Sequence, residues 1–315
     1  MAKAKSVLAT AALILTCAFA QAQQQSPMPD DIAWKLIEIG RAVDPPKTAA
    51  LYTPLQQKEP YQGVKVERDL KYGPDEKNTL DVFTPEPAST GHPVLVFVRG
   101  GAFIGGDKHL PGSPFYDNIM LWAVKHGFVG VNINYRLAPA APWPAGVEDV
   151  ASALQWVAAD IAARGGDPSE VFLLGHSAGA VHVASYVSHP EFHKVSGGGL
   201  KGAIMVSGLY DFTADPLGGP EKSYFGNDAS LYAQRSSLQG LLKTEVPFMI
   251  VTAELDPDVM GRQFELLKDA RCKSSKGCTR ALVLPQHSHM SEVYSINTAD
   301  DRLTREILDF VRGTK

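Results

Sequence analysis

The sequence lacks several features that would restrict the class of protein. It has only three cysteines in 315 residues, and it shows no run of basic residues, no internal repeat and no low-complexity linker. The net charge of −4 and the missing basic run argue against nucleic acid as a partner. Beyond the N-terminus no segment is long and apolar enough to span a bilayer, so stable membrane insertion is not expected. No feature of the sequence predicts an oligomeric state.

The N-terminus holds the one long apolar run of the chain. Two lysines precede an uncharged stretch that is apolar over residues 7–19. Small residues then fit an A-x-A cleavage site that ends at Ala20 or Ala22. This pattern predicts a signal peptide over residues 1–22 and export to the periplasm or the medium.

Two cysteines, Cys272 and Cys278, remain in the chain after removal of the signal peptide. In an exported protein two cysteines favour one disulfide, with two unpaired surface thiols as the alternative. The residues between them are small or polar and predict a surface loop. No cluster of ligand residues surrounds them, so neither a catalytic nor a metal-binding role is expected for them. The sequence implies no metal or organic cofactor.

Eight short segments rich in apolar and β-branched residues predict strands. They are residues 64–70, 80–83, 94–98, 128–134, 171–174, 203–207, 248–252 and 281–284. A turn signal separates the first two, which predicts a hairpin. The later segments alternate with helical patterns such as the apolar face of 147–161, which predicts an α/β domain with a mostly parallel sheet. In such sheets the active site lies at the carboxyl ends of the strands.

An N-terminal helix is predicted ahead of these strands. Apolar residues recur at helical spacing over residues 30–43, and Pro45 and Pro46 are expected to end the helix. Trp34 and the isoleucines would give this helix an apolar face with which to dock on the domain.

Residues 175–179 read Gly-His-Ser-Ala-Gly between a predicted strand and an alanine- and valine-rich segment. A strand, a sharp turn and a helix form the context in which Gly-x-Ser-x-Gly is a nucleophile elbow. The turn strains the backbone of Ser177, and Gly175 and Gly179 remove the Cβ contacts that it would otherwise create. Ser177 is therefore the predicted nucleophile.

Candidates for the base and the acid follow the last two predicted strands. A serine nucleophile needs a general base, and the base needs an acid that orients it. In the elbow fold they follow the serine in the order acid, then histidine. Glu254, Asp256 and Asp258 come after the seventh strand, and His287 and His289 come after the eighth.

Backbone amides next to two glycines are the candidate oxyanion donors. The run Val-Arg-Gly-Gly-Ala-Phe over residues 98–103 directly follows the third strand. Glycines in such a run let backbone amides point at one spot, where they can stabilise the charge of a tetrahedral intermediate. The predicted donors are the amides of Gly101, Ala102 and Ala178.

Three blocks of the sequence resemble the α/β-hydrolase superfamily and, more narrowly, the hormone-sensitive-lipase-like bacterial carboxylesterases (the α/β-hydrolase fold-3 group). Residues 99–108 are similar to the oxyanion loop of that family, residues 134–145 to its NYRLAP…FPA segment, and residues 175–179 to its elbow. The resemblance runs from about residue 61 to the C-terminus. It implies a hydrolase domain over 61–315, an eight-stranded sheet with helices on both faces, and a small cap to which residues 23–60 contribute.

The resemblance also implies roles for the candidate residues. It favours Asp256 over Asp258 and Glu254 as the acid, and it favours His289 over His287 as the base because an apolar residue, Met290, follows His289. The implied activity is that of a serine carboxylesterase acting through an acyl-enzyme on small to medium esters. An arylformamidase-type amide hydrolase and a catalytically silent binding protein of the same fold are the alternatives.

The sequence leaves the roles of three features open. Arg99 stands where the family has histidine, and it could order the oxyanion loop or face the pocket and select acidic substrates. His176 stands where an acidic residue is more usual. The aromatic residues of segment 208–242 could form a lid or alcohol-side wall, or belong to the core.

Overall fold

The computed structural model describes residues 28–314. The predicted signal peptide lies outside these residues, so its prediction remains untested.

One eight-stranded sheet forms the centre of the molecule, in the order β1-β2-β4-β3-β5-β6-β7-β8. The strands are β1 (Val64–Lys71), β2 (Thr79–Pro85), β3 (His92–Val98), β4 (Val129–Ile133), β5 (Gly166–His176), β6 (Gly202–Val206), β7 (Phe248–Leu255) and β8 (Arg280–Ser288). Strand β2 is antiparallel to both of its neighbours, and all other pairs are parallel. The eight predicted strands and the leading hairpin are confirmed.

Eleven α-helices in the described part of the chain accompany the sheet. They are α1 (Asp30–Ile39), α2 (Pro45–Tyr52), α3 (Asp117–Lys125), α4 (Ala145–Asp160), α5 (Ala178–Ser188), α6 (Gly219–Phe225), α7 (Tyr232–Arg235), α8 (Leu238–Leu241), α9 (Asp258–Lys273), α10 (Ser291–Tyr294) and α11 (Arg302–Gly313). Helix α4 buries Val147, Val150, Leu154 and Val157 on one face, which confirms the predicted helical pattern. None of the helices within residues 28–314 has both the length and the apolar character needed to cross a membrane.

Alternate residues of the central strands face two separate hydrophobic cores. In β3, Val94, Val96 and Val98 belong to one core, and Leu95 and Phe97 belong to the other. Consecutive side chains of a strand point to opposite faces, so a strand covered on both faces is apolar throughout. Helices α4, α5 and α9 contribute to the first core, and α1, α3 and α11 contribute to the second. The predicted α/β-hydrolase architecture is confirmed.

The N-terminal helix is shorter than the sequence pattern predicts. Helix α1 ends at Ile39, because Gly40 adopts a positive φ of 69°. Pro45 does not end this helix but begins α2, where its missing N–H costs nothing and its ring favours helical φ. Asp44 caps the start of α2 by accepting a hydrogen bond from the Lys47 amide at 3.0 Å.

The face that α1 docks also differs from the prediction. Ile32, Ala33 and Leu36 are buried against the second core. Trp34 is 67% exposed and Ile37 is 48% exposed, so both lie on the solvent side of the helix. The prediction that Trp34 helps to dock the helix was wrong.

The segment over residues 207–247, between β6 and β7, contains helices α6 to α8. All five of its aromatic side chains are buried, namely Tyr210, Phe212, Tyr224, Phe225 and Tyr232. Tyr224 stacks on Phe103 with ring centroids 4.9 Å apart, and its hydroxyl accepts a hydrogen bond from the Gly146 amide. Of the two roles left open, these aromatics therefore take the core role. Tyr210 belongs to the first core, and the other four form a third hydrophobic cluster together with Phe103 of the oxyanion loop.

Cys272 and Cys278 form the predicted disulfide. Cys272 lies in the last turn of α9, and Cys278 lies just before β8. The bridge closes the turn between these two elements.

Candidate active site

Ser177 lies in the turn between β5 and α5. Its φ of 57° and ψ of −125° are strained for a residue with a side chain. A Cβ on Gly175 would lie 2.4 Å from the carbonyl oxygen of Gly179, and a Cβ on Gly179 would lie 2.0 Å from that of Val98. Only glycine fits at either position, and the turn places the Ser177 hydroxyl at the N-terminus of α5.

His289 directly follows β8 and reaches Ser177. Its Nε2 lies 2.9 Å from Ser177 Oγ, and its Nδ1 lies 2.8 Å from Oδ1 of Asp256. The side chains of His289 and Asp256 are 2% and 1% exposed, so water does not compete for the bond between them. The structure thus brings the predicted nucleophile, base and acid together in series.

Asp256 directly follows β7 and is held by hydrogen bonds on its second oxygen. Its Oδ2 accepts from the hydroxyls of Thr252 at 2.7 Å and Ser207 at 2.5 Å, and from the Ala253 amide at 2.8 Å. Burial opposes ionisation, but the hydrogen bonds from His289, Ser207 and Ala253 outweigh it and hold the pKa of Asp256 below its usual value. The carboxylate therefore stays ionised and fixed in orientation.

The two other candidate acids lie elsewhere. Asp258 begins α9 with 74% of its side chain exposed, and it pairs with Arg41 at 3.5 Å. Glu254 is exposed and accepts a hydrogen bond from the Gln286 amide at 2.7 Å. Among the described residues neither is a hydrogen-bond partner of His289.

His287 belongs to a different network. Its Nδ1 lies 2.9 Å from the Ser291 hydroxyl, and its Nε2 lies 3.0 Å from Oδ2 of Asp300. Burial lowers the pKa of His287, although the hydrogen bond and charge of Asp300 oppose this shift. Arg302 donates to both oxygens of Asp300, at 2.9 and 2.7 Å. His287 is therefore committed to partners other than Ser177.

The predicted oxyanion donors line the space next to Ser177. Gly101, Ala102 and Ala178 all border the cleft described below. Ala178 is the first residue of α5, so its amide has no carbonyl partner within the helix. A Cβ on Gly101 would lie 2.0 Å from the Gly105 carbonyl oxygen, so the loop closes this tightly only with glycine.

Arg99 orders the oxyanion loop from behind. It is fully buried, and its Nη1 donates to the carbonyls of Gly100 at 2.9 Å and Gly105 at 2.7 Å. Its Nε donates to Asn134 at 2.8 Å, and its guanidinium lies 4.6 Å from the centre of the Tyr135 ring. Arg99 is not among the residues that line the cleft, so the structural role holds and the idea that it selects acidic substrates was wrong.

His176 supports the loop that carries His289. Because a carbonyl only accepts, Nε2 of His176 donates to the backbone carbonyl of His289, at 2.8 Å. Burial, followed by the nearby His289, lowers the pKa of His176 to about 3. His176 is therefore a neutral side chain at the base of the cleft.

A cleft of about 490 Å³ opens above Ser177. Its walls are mainly apolar and include Phe103, Leu209, Met260 and Met290. Cavities of this size and character hold small organic molecules, whose orientation a few polar groups then fix.

The N-terminal segment reaches the cleft through the link between α1 and α2 and through the first residue of α2. Val43 and Pro45 line the cleft. Arg41, in the same link, donates to the backbone carbonyl of Asp256 at 2.8 Å. The segment thus contacts both the substrate space and the loop of the acid.

Two groups of described side chains come close enough to share a metal ion. They are His176, His289 and Glu292, and Glu59, His109 and Asp117. Both ring nitrogens of His289 already contact Ser177 and Asp256, and Asp117 is already paired with Arg68 at 2.5 Å. Both groups are engaged in protein contacts, so neither is assigned to a metal.

Sequence reasoning missed the residues that surround the acid. Ser207 directly follows β6, Thr252 lies within β7 and Glu292 lies within α10, and none of them is part of a recognisable motif. Val43 and Glu221, which line the cleft, carry no signal either. A serine directly after the sixth strand was the one available hint, since carboxyl ends of neighbouring parallel strands meet at one edge.

Fold and site together define an α/β-hydrolase in which serine, histidine and aspartate are hydrogen-bonded in series. The model described as the prolyl oligopeptidase family matches residues 144–314, and the model described as BD-FAE matches residues 80–198. The first covers more than half of the sequence, and the chain belongs to the prolyl oligopeptidase family.

The chain is also similar to curated relatives that are named esterases, and it shares its fold with solved structures. Esterase LipQ of Mycobacterium tuberculosis is 28% identical, and the alignment spans 77% of this chain but only 61% of LipQ. Esterase B of Lactobacillus rhamnosis has a TM-score of 0.68 at 18% identity, and the match covers 90% of this chain and 94% of esterase B. A bacterial heroin esterase has a TM-score of 0.67 at 22% identity, and the match covers 92% of this chain and 98% of the esterase. The predicted resemblance to bacterial esterases of the α/β-hydrolase fold is confirmed.

Proposed function

We propose that this protein is a serine carboxylesterase for small to medium esters. The observation that carries the proposal is the series of contacts from Ser177 Oγ through His289 to Asp256, at 2.9 and 2.8 Å, beside the cleft. The esterase names of the relatives support the same reaction class.

Ser177 is the nucleophile in this mechanism. His289 Nε2 takes the hydroxyl proton as Ser177 Oγ bonds to the ester carbonyl carbon, and it returns that proton to the leaving alkoxide. Asp256 holds the imidazole in the required tautomer and stabilises the imidazolium. Water, activated by the same histidine, then hydrolyses the acyl-enzyme and releases the acid.

The amides of Gly101, Ala102 and Ala178 receive the negative charge of the tetrahedral intermediates. Each such donor contributes about 3–4 kcal/mol of transition-state stabilisation. Arg99 keeps the loop that carries two of them in place through the carbonyls of Gly100 and Gly105. No metal or organic cofactor takes part in these steps.

A fluorophosphonate probe and an ester series test the proposal. The probe is expected to label the wild-type protein and not Ser177→Ala, and p-nitrophenyl esters of short and medium chains are expected to be hydrolysed. Formylkynurenine and a peptide anilide serve as amide controls. Faster cleavage of an amide would replace the ester proposal by an amide hydrolase, and a protein that neither reacts with the probe nor turns over any substrate would be a binding protein.

Export is part of the proposal. The lysines, the apolar run of residues 7–19 and the A-x-A sites at Ala20 and Ala22 support it, and so does the disulfide. Sequencing of the mature N-terminus is expected to begin at residue 21 or 23 in protein from the periplasm or the medium. A full-length protein that stays in the cytoplasm would contradict export.

A further inference from the structure

A second buried carboxyl group lies behind Asp256, and the mechanism above does not use it. Glu292 is on α10, three residues after His289, and its side chain is fully buried. Its Oε2 lies 2.7 Å from the hydroxyl oxygen of Ser207. The hydroxyl oxygen of Ser207 also lies 2.5 Å from Oδ2 of Asp256. Ser207 therefore stands between two carboxyl groups.

The hydrogen count around Ser207 requires one proton more than the hydroxyl carries. A serine hydroxyl has a single proton, but two carboxyl oxygens lie within hydrogen-bond distance of this one. If both carboxyl groups were ionised, one of the two contacts would bring lone pairs together at 2.5 or 2.7 Å. One of the two groups must therefore hold a proton.

Asp256 is the group that stays ionised. It accepts four hydrogen bonds: one from His289 on Oδ1, and one each from Ser207, Thr252 and the Ala253 amide on Oδ2. A carboxylate that accepts this many donors favours its charged form.

Glu292 has no comparable set of donors. Its Oε2 has the one contact to Ser207, and its Oε1 is buried without a partner in the described residues. The missing proton therefore belongs to Glu292.

The groups that face Glu292 do not offset a negative charge there. His176 is the only basic side chain within residues 28–314 that comes close enough to pair, with Nε2 at 3.8 Å, and this nitrogen donates to the His289 carbonyl. Tyr210 is buried, and burial raises the pKa of its hydroxyl. Burial, followed by the charge of Asp256, raises the pKa of Glu292 well above its usual value.

We propose that Glu292 is a positioning residue for the acid of the triad: its neutral carboxyl group donates to Ser207, which commits the Ser207 proton to Oδ2 of Asp256. Oδ1 then remains for His289. This inference rests on the proposed function. It gives the site a second carboxyl group that adds a hydrogen bond without adding a charge.

Glu292→Gln and Glu292→Met form the matched pair of variants. The two new side chains are similar in length, but only glutamine keeps an N–H donor for Ser207. Glu292→Met is expected to lower kcat about tenfold with KM unchanged, the loss expected for one buried hydrogen bond. Glu292→Gln is expected to recover most of that loss, which a role in packing alone would not explain. Ser207→Ala is expected to lower kcat at least as much, and it tests the same link if Glu292→Met does not fold.

The pH profile separates a neutral from an ionised Glu292. A charge at this position would stabilise the protonated, inactive site, so Glu292→Gln would then move the acid limb of kcat/KM to lower pH. We expect the limb to stay in place. A shifted limb, equal losses in the glutamine and methionine variants, or full activity in Ser207→Ala would each overturn the proposal.

Infrared spectroscopy tests the protonation of Glu292 without any turnover. At neutral pH the wild-type protein is expected to show a carbonyl band of a protonated carboxylic acid that Glu292→Gln lacks. Absence of that band in the wild type overturns the inference even if the ester assays succeed. Its presence in a protein without ester turnover would leave the neutral carboxyl in place and refute only the proposed function.

Discussion

Residues 287–291 contribute to two serine–histidine–aspartate sets, and only one of them opens into the cleft. In the first set Ser177, His289 and Asp256 are linked at 2.9 and 2.8 Å; in the second, Ser291, His287 and Asp300 are linked at 2.9 and 3.0 Å. Residue types and distances are therefore nearly the same in both. The difference lies in what surrounds each set.

The second set is closed by its neighbours. The Ser291 hydroxyl accepts from the Ser288 amide at 2.8 Å, and Arg302 donates to both oxygens of Asp300. Burial opposes the charge of Asp300, but Arg302 and His287 hold its pKa below the usual value. The positive charge of Arg302 thus compensates the carboxylate of Asp300. Ser291 is fully buried, and none of the three residues of the second set lines the cleft. A catalytic set needs an accessible serine and oxyanion donors, and only Ser177 has both.

The largest difference between the two sets is expected in kcat when their serines are replaced. Ser177→Ala is expected to lower kcat for esters by a factor on the order of 10⁶, because the nucleophile is lost while the fold stays intact. Ser291→Ala is expected to leave kcat nearly unchanged and to lower the free energy of unfolding by about 1–3 kcal/mol, because the buried Ser288 amide loses its acceptor. Steady-state kinetics and denaturant unfolding measure the two effects. Wild-type turnover in Ser177→Ala would refute the mechanism.

The histidines give the next contrast. His289→Ala is expected to lower kcat by about 10⁴-fold or more, because the general base is lost. His287→Ala is expected to keep kcat and to reduce stability, because it leaves a cavity and removes a partner of Asp300. The same assays compare the two variants. A dead His287→Ala with an active His289→Ala would reverse the assignment.

Substitution of Arg302 tests whether the second set serves stability alone and has no effect on turnover. Arg302→Met is expected to lower the free energy of unfolding by about 3–5 kcal/mol, because the buried Asp300 carboxylate loses the cation that donates to both of its oxygens. Kcat of the folded fraction is expected to stay at the wild-type value. Thermal melting and active-site titration with the fluorophosphonate separate stability from rate. A reduced rate in fully folded protein would show that the two sets are coupled.

The pH dependence of stability gives the smallest effect. Burial lowers the pKa of His287 in the folded state, so between that value and about 6.5 the unfolded chain binds more protons than the folded one. The free energy of unfolding therefore falls as the pH is lowered below about 6.5. This single group contributes at most about 1.4 kcal/mol per pH unit, and His287→Gln is expected to flatten the slope by up to that amount. An unchanged slope would mean that His287 titrates alike in both states.

The fold and the nucleophile could be predicted because their determinants are local. Each strand is one contiguous apolar segment, and Gly175 and Gly179 stand at fixed positions around Ser177. The environments of the two histidines could not be predicted in this way. Strand β8 ends at Ser288, between them, so the rule that residues two apart share a face no longer applies.

The partners of the acid were also beyond prediction. Ser207 and Glu292 are 85 residues apart, and only the order of the strands brings them together. Likewise, Gly40 rather than Pro45 ends α1, because a positive φ at Gly40 ends the helix before the proline is reached.

The contribution of Val43 and Pro45 to the cleft has a consequence for biosynthesis. Synthesis adds these two residues early, whereas His289 follows much later in the chain. A growing chain therefore cannot hold a complete site before His289 has been added. Under the proposed function, a precursor would gain hydrolytic competence only after His289 has been made and the sheet has formed.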